Sequence, residues 1–207
     1  MPALSHVEFL VEEPSAEAAL GNLVPKLLGL DFTFNIYPHQ GKHDLLQKLP
    51  TRLRGYRHWI PEDWGIVVLI DADGRNCLEQ KTALEDMAQQ AGFLTRARWQ
   101  SGGFQVLNRL AIEELEAWFF GDVDALCEAY PGVSPTLGER AAYRDPDAIR
   151  GGTWEALERE LQRAGYHRAG LAKIKAAREI SARMEPYRNR SRSFGVFRQG
   201  LLDLVGI

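Results

Sequence analysis

The sequence predicts an α/β protein: a mostly parallel sheet flanked by helices, followed by a helical C-terminal part. Three observations carry this expectation. Apolar runs of strand length alternate with segments of helical period over residues 1–110, the pattern of βαβ units. Residues 66–70 are five consecutive apolar residues, four of them β-branched, which suits a central strand covered on both faces. From residue 111 onward the strand pattern stops, and helical segments joined by Gly- and Pro-bearing loops take over. A chain of 207 residues buries one good core, so a single domain over residues 1–207 is expected, with an α/β core (1–110) and a basic helical part (111–207).

Each element has its own signal. Residues 6–11 alternate and then run apolar as a first strand, which Pro14 and Ser15 end. Ala19, Leu20, Leu23, Val24 and Leu27 recur at helical period, and Gly29 suits the position just past a helix end. Phe32, Phe34 and Ile36 alternate before Pro38, giving a second strand over residues 31–37. Leu45, Leu46, Leu49 and Leu53 mark a helix over residues 43–57, which Pro50 is expected to kink or split. Helix signals return over residues 77–91 and close at Gly92. Residues 93–99 and 104–107 read as strand material interrupted by Ser101, Gly102 and Gly103. Helices are expected over residues 111–120, 123–130, 153–164, 171–184 and 193–205, with Thr153 as an N-cap.

Composition excludes several classes. With 45% apolar and 26% charged residues the chain is of ordinary globular type, and no apolar run approaches the roughly 20 residues of a membrane helix. The N-terminus lacks the basic-then-apolar order of a signal peptide. Cys77 and Cys127 form neither a disulfide framework nor a zinc spacing, so a reducing cytoplasm is the expected setting. His6, His39, His58 and His167 are scattered, and neither a Gly-rich phosphate loop nor a nucleophile elbow occurs, which disfavours an ATPase or a serine hydrolase. The net charge of −3 hides an asymmetry: residues 1–139 carry 11 Lys+Arg against 20 Asp+Glu, whereas residues 140–200 carry 14 against 7. An acidic part suited to a cation is thus joined to a basic part suited to a polyanion.

In a parallel α/β sheet, ligands bind where the loops leave the carboxyl ends of the strands. Glu12 and Glu13 leave the first strand there, and Asp71 and Asp73 leave the central one. Aspartates at i and i+2, with Gly74 permitting a tight turn, can offer oxygens to one Mg²⁺ or Mn²⁺; Asp-x-Asp-Gly is equally ordinary turn chemistry. Glu113 and Glu116 are spaced i, i+3 on an expected helix and share a face, either as further acidic ligands or as solvated surface. Lys42 follows Gly41 in a loop that can meet a phosphate. Arg188, Arg190, Arg192 and Ser193 are expected to gather donors for phosphate at the start of the last helix, the alternative being capping by Ser191 or Ser193.

A strand ending Phe9-Leu10-Val11-Glu12, then a helix, then a later strand ending Leu69-Ile70-Asp71-Ala72-Asp73 resembles the Toprim domain of topoisomerases, primases and overcoming-lysogenization-defect type nucleases. In that family a glutamate follows the first strand in a Val-Glu-Gly-like turn, matching Glu12, and an Asp-x-Asp pair follows a later strand, matching Asp71 and Asp73. Glu13 departs from the usual glycine. Leu10-Val11-Glu12-Glu13-Pro14-Ser15, Gln40-Gly41-Lys42, Glu113-Glu114-Leu115-Glu116-Ala117-Trp118 and Asn189-Arg190-Ser191-Arg192-Ser193-Phe194 together resemble the Toprim-related bacterial family catalogued as domain of unknown function 4276. Glu116-Ala117-Trp118 is similar to the Glu-x-Trp segment of related nucleases, where the glutamate is a further acidic ligand.

The resemblance implies Mg²⁺- or Mn²⁺-dependent cleavage of phosphodiester bonds in DNA or RNA. Glu12, Asp71 and Asp73 would be catalytic, Glu116 and Glu113 further metal ligands, and an ABC-type ATPase a partner in a defence or repair system. Two alternatives stay open: a non-catalytic subunit that binds nucleic acid or an ATPase, and a phosphatase or nucleotidyl transferase acting on a small substrate.

Overall fold

A computed structural model describes residues 4–74, 76–99 and 103–207. Four strands, β1 (His6–Val11), β2 (Thr33–Pro38), β3 (Trp64–Asp71) and β4 (Val106–Ala111), pair in parallel throughout, in the order β2-β1-β3-β4. The chain leaves β1 toward β2 on one side and then returns to build β3 and β4 on the other. The junction of β1 and β3 is therefore the topological switch point, where such sheets open a ligand crevice.

Alternation along the strands divides the core in two. Phe9, Val11, Val67 and Leu69 pack with Leu20 and Leu23 of α1 (Pro14–Leu28). Leu10, Val68 and Ile70 face the opposite way, onto Leu49 and Leu53 of α2 (Lys42–Trp59) and Leu84 of α3 (Cys77–Gln90). Burial on both faces is why the β3 run carries no polar residue between Ile66 and Ile70. Of the two outcomes expected at Pro50, splitting does not occur: α2 runs as one helix through it. A proline removes one backbone bond, and buried Leu45, Leu49, Leu53 and Tyr56 on both sides of it hold the helix to the sheet.

One polar cluster on this second face is satisfied in a buried network. Glu8 accepts hydrogen bonds from Tyr56 (2.6 Å) and Asn35 (2.8 Å) and lies 2.8 Å from His6 Nε2. Burial alone would raise the Glu8 pKa, but these bonds outweigh it and lower it.

The second half is α4 (Glu116–Phe120), α5 (Val123–Ala129), α6 (Thr153–Arg163), α7 (Lys173–Ser181) and α8 (Arg192–Val205), with 3₁₀ turns at Leu137–Glu139 and Pro146–Ala148. Their apolar faces continue the α1-side core, where Trp118 packs on Phe194 and Phe197 at 5.1 and 5.0 Å between ring centroids. Among the described residues no helix is long and apolar enough to cross a membrane.

Three expectations are corrected. Residues 93–99 contribute one isolated bridge, Thr95 to Val106, and the fourth strand is Val106–Ala111. Asn108 and Arg109 masked that strand: Asn108 Nδ2 donates to Glu85 of α3, and Arg109 Nε donates to the Val196 carbonyl of α8. Of the expected interruption, Ser101 and Gly102 lie outside the described residues. The helix expected over residues 111–120 starts only at Glu116, because residues 112–115 form the turn out of β4. Thr153 is the first residue of α6 and does not cap it; Glu114 Oε2 accepts from Thr153 N, Thr153 Oγ1 and Trp154 N at 2.7–2.9 Å.

β4 is an edge strand, and its outward carbonyl at Asn108 is covered. Lys81 Nζ (2.5 Å) and Arg109 Nη1 (3.0 Å) both donate to it, one from each face of the sheet.

Candidate metal centre

The first acidic residues arrive where β1 gives way to α1. Glu12 is buried, and its Oε2 accepts the backbone N–H of Asp71 at 3.0 Å, which ties the ends of β1 and β3 together. Glu13 sits at the N-cap of α1 with an extended backbone (φ −139°, ψ 159°). That conformation needs no glycine, so the departure from the usual residue costs the turn nothing. Carboxylate oxygens of Glu12, Glu13 and Asp71 lie within 4.8 Å of one another.

This density of charge shifts the carboxyl groups. Burial pushes the Asp71 pKa well above the usual aspartate range, reinforced by Glu116, Glu12, Asp73 and Glu13. Glu12 is raised by burial, against the opposing pull of the Asp71 N–H and Lys42. Glu116, the first residue of α4, is 3% exposed and pushed up to about 7 by burial, while Lys173 works in the other direction. The three acids of this cluster repel one another unless protonated or bridged by a cation. Hard oxygen ligands at such spacing are of the kind that could hold a divalent metal ion.

Two loops are locked at the rim. Asp73 has φ 51° and Gly74 φ 62°, so the chain turns sharply after β3. Asp73 N donates to the Glu113 carbonyl at 2.8 Å, and Glu113 itself has φ 60°. Glu113 therefore lies in a left-handed loop position, not on a helix face with Glu116. The Asp73 carboxylate is exposed and accepts from Lys42 Nζ at 2.6 Å. Gly41 (φ 90°) makes this possible by turning the chain so that Lys42 opens α2 beside the site.

Two residues of the site gave no signal in the sequence. Lys173 opens α7, with its Nζ 3.9 Å from Glu116 Oε1 and 5.2 Å from the ring centroid of Trp154 at the start of α6. Burial disfavours the Lys173 charge, but Glu116, Glu13, Glu114 and Asp71 outweigh it and raise its pKa. Each residue lies more than 35 positions from its nearest acidic neighbour in the site except through the fold, and only the docking of α6 and α7 joins them.

A family model, Domain of unknown function (DUF4276), matches residues 11–202, which include every residue of this centre. The chain belongs to this family. No curated protein and no solved structure matches it.

Apart from the Arg192 side chain, the remaining phosphate candidates of this DUF4276 chain are engaged within the fold. Arg188 donates to both oxygens of buried Asp122, at 2.8 and 3.1 Å. Arg190 N donates to the Gly121 carbonyl, and its guanidinium packs against Gly138, where a Cβ would collide with it. At the start of α8 the anion is the protein's own: Asp147 accepts from Arg192 N (2.6 Å), Ser193 N (3.0 Å), Ser193 Oγ (2.9 Å) and Ser191 Oγ (2.8 Å). Ser191 also caps the helix, its Oγ accepting from Phe194 N at 3.1 Å. Ser193 Oγ further accepts from Trp118 Nε1 at 2.9 Å, so this hydroxyl ties α4 to α8. The Arg192 side chain points outward from an exposed residue.

Proposed function

We propose that this DUF4276 protein cleaves phosphodiester bonds in nucleic acid, with Mg²⁺ or Mn²⁺ held by Glu12, Glu13 and Asp71. The observation that carries the reading is the convergence of those three carboxylates within 4.8 Å at the switch point of a parallel sheet. The Toprim resemblance of Glu12, Asp71 and Asp73 points the same way. When bound, the cation supplies charge neutralisation for the phosphate and its leaving oxygen.

The protein's own groups have separable tasks. Glu12 completes the cation site with Glu13 and Asp71 or, when not bound to the cation, takes a proton from the attacking water; one P–O ester bond breaks, and the leaving alkoxide takes a proton from solvent, giving a phosphate monoester and an alcohol. Lys173 and Lys42 flank the acids and neutralise the phosphate oxygens that approach them. Asp73 and Glu116 orient those lysines, and Glu113 braces the β3 loop through its carbonyl. The basic residues of 140–200 hold the polynucleotide backbone, with binding that weakens as salt rises. An ABC-type ATPase is the expected partner for driving the substrate into the site.

The test is cleavage of labelled DNA and RNA in Mn²⁺ or Mg²⁺ by wild type, Asp71→Asn and Lys173→Ala. Wild-type products ending in a phosphate, with Asp71→Asn lowered about 100-fold or more, are expected. Equal cleavage by wild type and Asp71→Asn would remove the site. One contact favours a non-catalytic reading: Lys42 already neutralises Asp73, leaving fewer acids to hold ions. Cation binding and nucleic-acid binding without turnover would decide for it.

A further inference from the structure

Of the five tryptophans, Trp59, Trp64, Trp99 and Trp118 each pack on another ring. Trp154 has no aromatic partner among the described residues; the group over its ring is the Lys173 ammonium, 5.2 Å from the centroid. It is partly exposed, and it stands beside the acidic centre because Lys173 also reaches Glu116. The backbone that carries it is fixed: Glu114 Oε2 accepts the backbone N–H of Trp154 at 2.9 Å and both the N–H and the hydroxyl of buried Thr153 beside it. A partly exposed indole, with one face toward a lysine that also meets Glu116, presents its other π-face on the Lys173 side of the acidic centre.

We infer that Trp154 is a stacking platform for the base next to the scissile phosphate, and that the protein takes its substrate as an unpaired strand. This rests on the phosphodiester reading above and adds the substrate class to it. In a duplex the bases are stacked inside and offer no free face to a side chain beside the backbone; an unpaired base does. Lys173 then has two tasks, pairing with the phosphate and covering one face of the indole, which leaves the other face for the base. Such a platform tolerates any base, because each has a π-face. Selectivity is therefore for strand state and not for sequence.

The test compares binding of fluorescein-labelled oligothymidylate and of a hairpin duplex in Ca²⁺, by anisotropy, and cleavage of both in Mn²⁺. The proteins are wild type, Trp154→Leu and Trp154→Phe; leucine fills much of the space without a π-face, and phenylalanine restores one. Wild type is expected to prefer the single strand, with Trp154→Leu about tenfold weaker on it, Trp154→Phe within about threefold of wild type, and duplex binding changed less than about twofold. If Trp154→Leu does not fold, Trp154→Phe and wild type still decide through their preference for strand state. Cleavage with equal preference for duplex, or single-strand binding unchanged in Trp154→Leu, overturns the platform and leaves the nuclease reading intact. Absence of nucleic-acid binding and cleavage by wild type overturns both.

Discussion

The backbone N–H of Asp71 donates to the Glu12 carboxylate at 3.0 Å across the junction of β1 and β3. One oxygen of Glu12 is thereby spent on holding the two strand ends in register, while its carboxylate also lies within 4.8 Å of those of Glu13 and Asp71. The candidate site is thus anchored in backbone pairing and not in loop conformation, which makes its acids costly to the fold and sensitive to cations.

Asp71→Asn is expected to stabilise the cation-free protein and to abolish its response to cation. The raised Asp71 pKa means that burial and neighbouring acids disfavour its charge. Removing that charge should raise the melting temperature of the cation-free protein. Thermal melts in EDTA and in Mn²⁺ check both halves; a melting point lowered in EDTA contradicts the assignment.

The Glu116 carboxyl predicts a pH dependence of definite sign. Its folded pKa, about 7, lies above the ordinary 4.5, so between these values the folded chain binds the extra proton. Stability of the cation-free protein should then fall as pH rises from about 4.5 through about 7, by about 3 kcal/mol in total from this group. Urea denaturation across that range should show the slope in wild type and lose it in Glu116→Gln.

Glu13→Gly should leave the fold intact and weaken the site. The backbone there is extended, so glycine relieves no strain, while one of three converging carboxylates is lost. Isothermal titration with Mn²⁺ is expected to show affinity reduced about tenfold. Unchanged affinity would mean that Glu13 is a bystander.

The arginines near the C-terminus should separate by role. Asp122 is buried and its partner Arg188 is about 40% exposed, so Arg188→Ala is expected to cost about 2–3 kcal/mol, below the range for a fully buried pair. Arg192→Ala should change stability by less than about 0.5 kcal/mol. Asp147→Ala removes the acceptor for four donors at the start of α8 and should cost about 2–3 kcal/mol. Chemical denaturation of the three variants tests all of these values.

Legibility followed the range of the interaction. Strands β1 and β3 and most helices were readable because burial on one or both faces writes a period into neighbouring residues. The placement of Glu12 and Asp71 at strand ends followed from that. β4 was half hidden because Asn108 and Arg109 are polar residues satisfied by α3 and α8, which no local pattern reports. Glu113 was placed on a helix because a left-handed turn leaves no mark when the residue is not glycine. Glu13 departs from the glycine of the Toprim pattern, yet it converges with Glu12 and Asp71. Lys173 and Trp154 are brought in by the packing of α6 and α7, and the anion-like position at α8 is filled by Asp147, a residue far off in sequence.

At the outer border of the sheet, Lys81 and Arg109 close on a single carbonyl from opposite faces. A bare parallel edge would recruit a fifth strand from any passing extended chain, including another copy as it folds. Two cations on one oxygen make that addition unfavourable, since an incoming strand must displace both and bury their charge. The protein is thus defended against self-association at the border farthest from β2, and the exposure of that border during synthesis carries less risk of fibrillar misassembly.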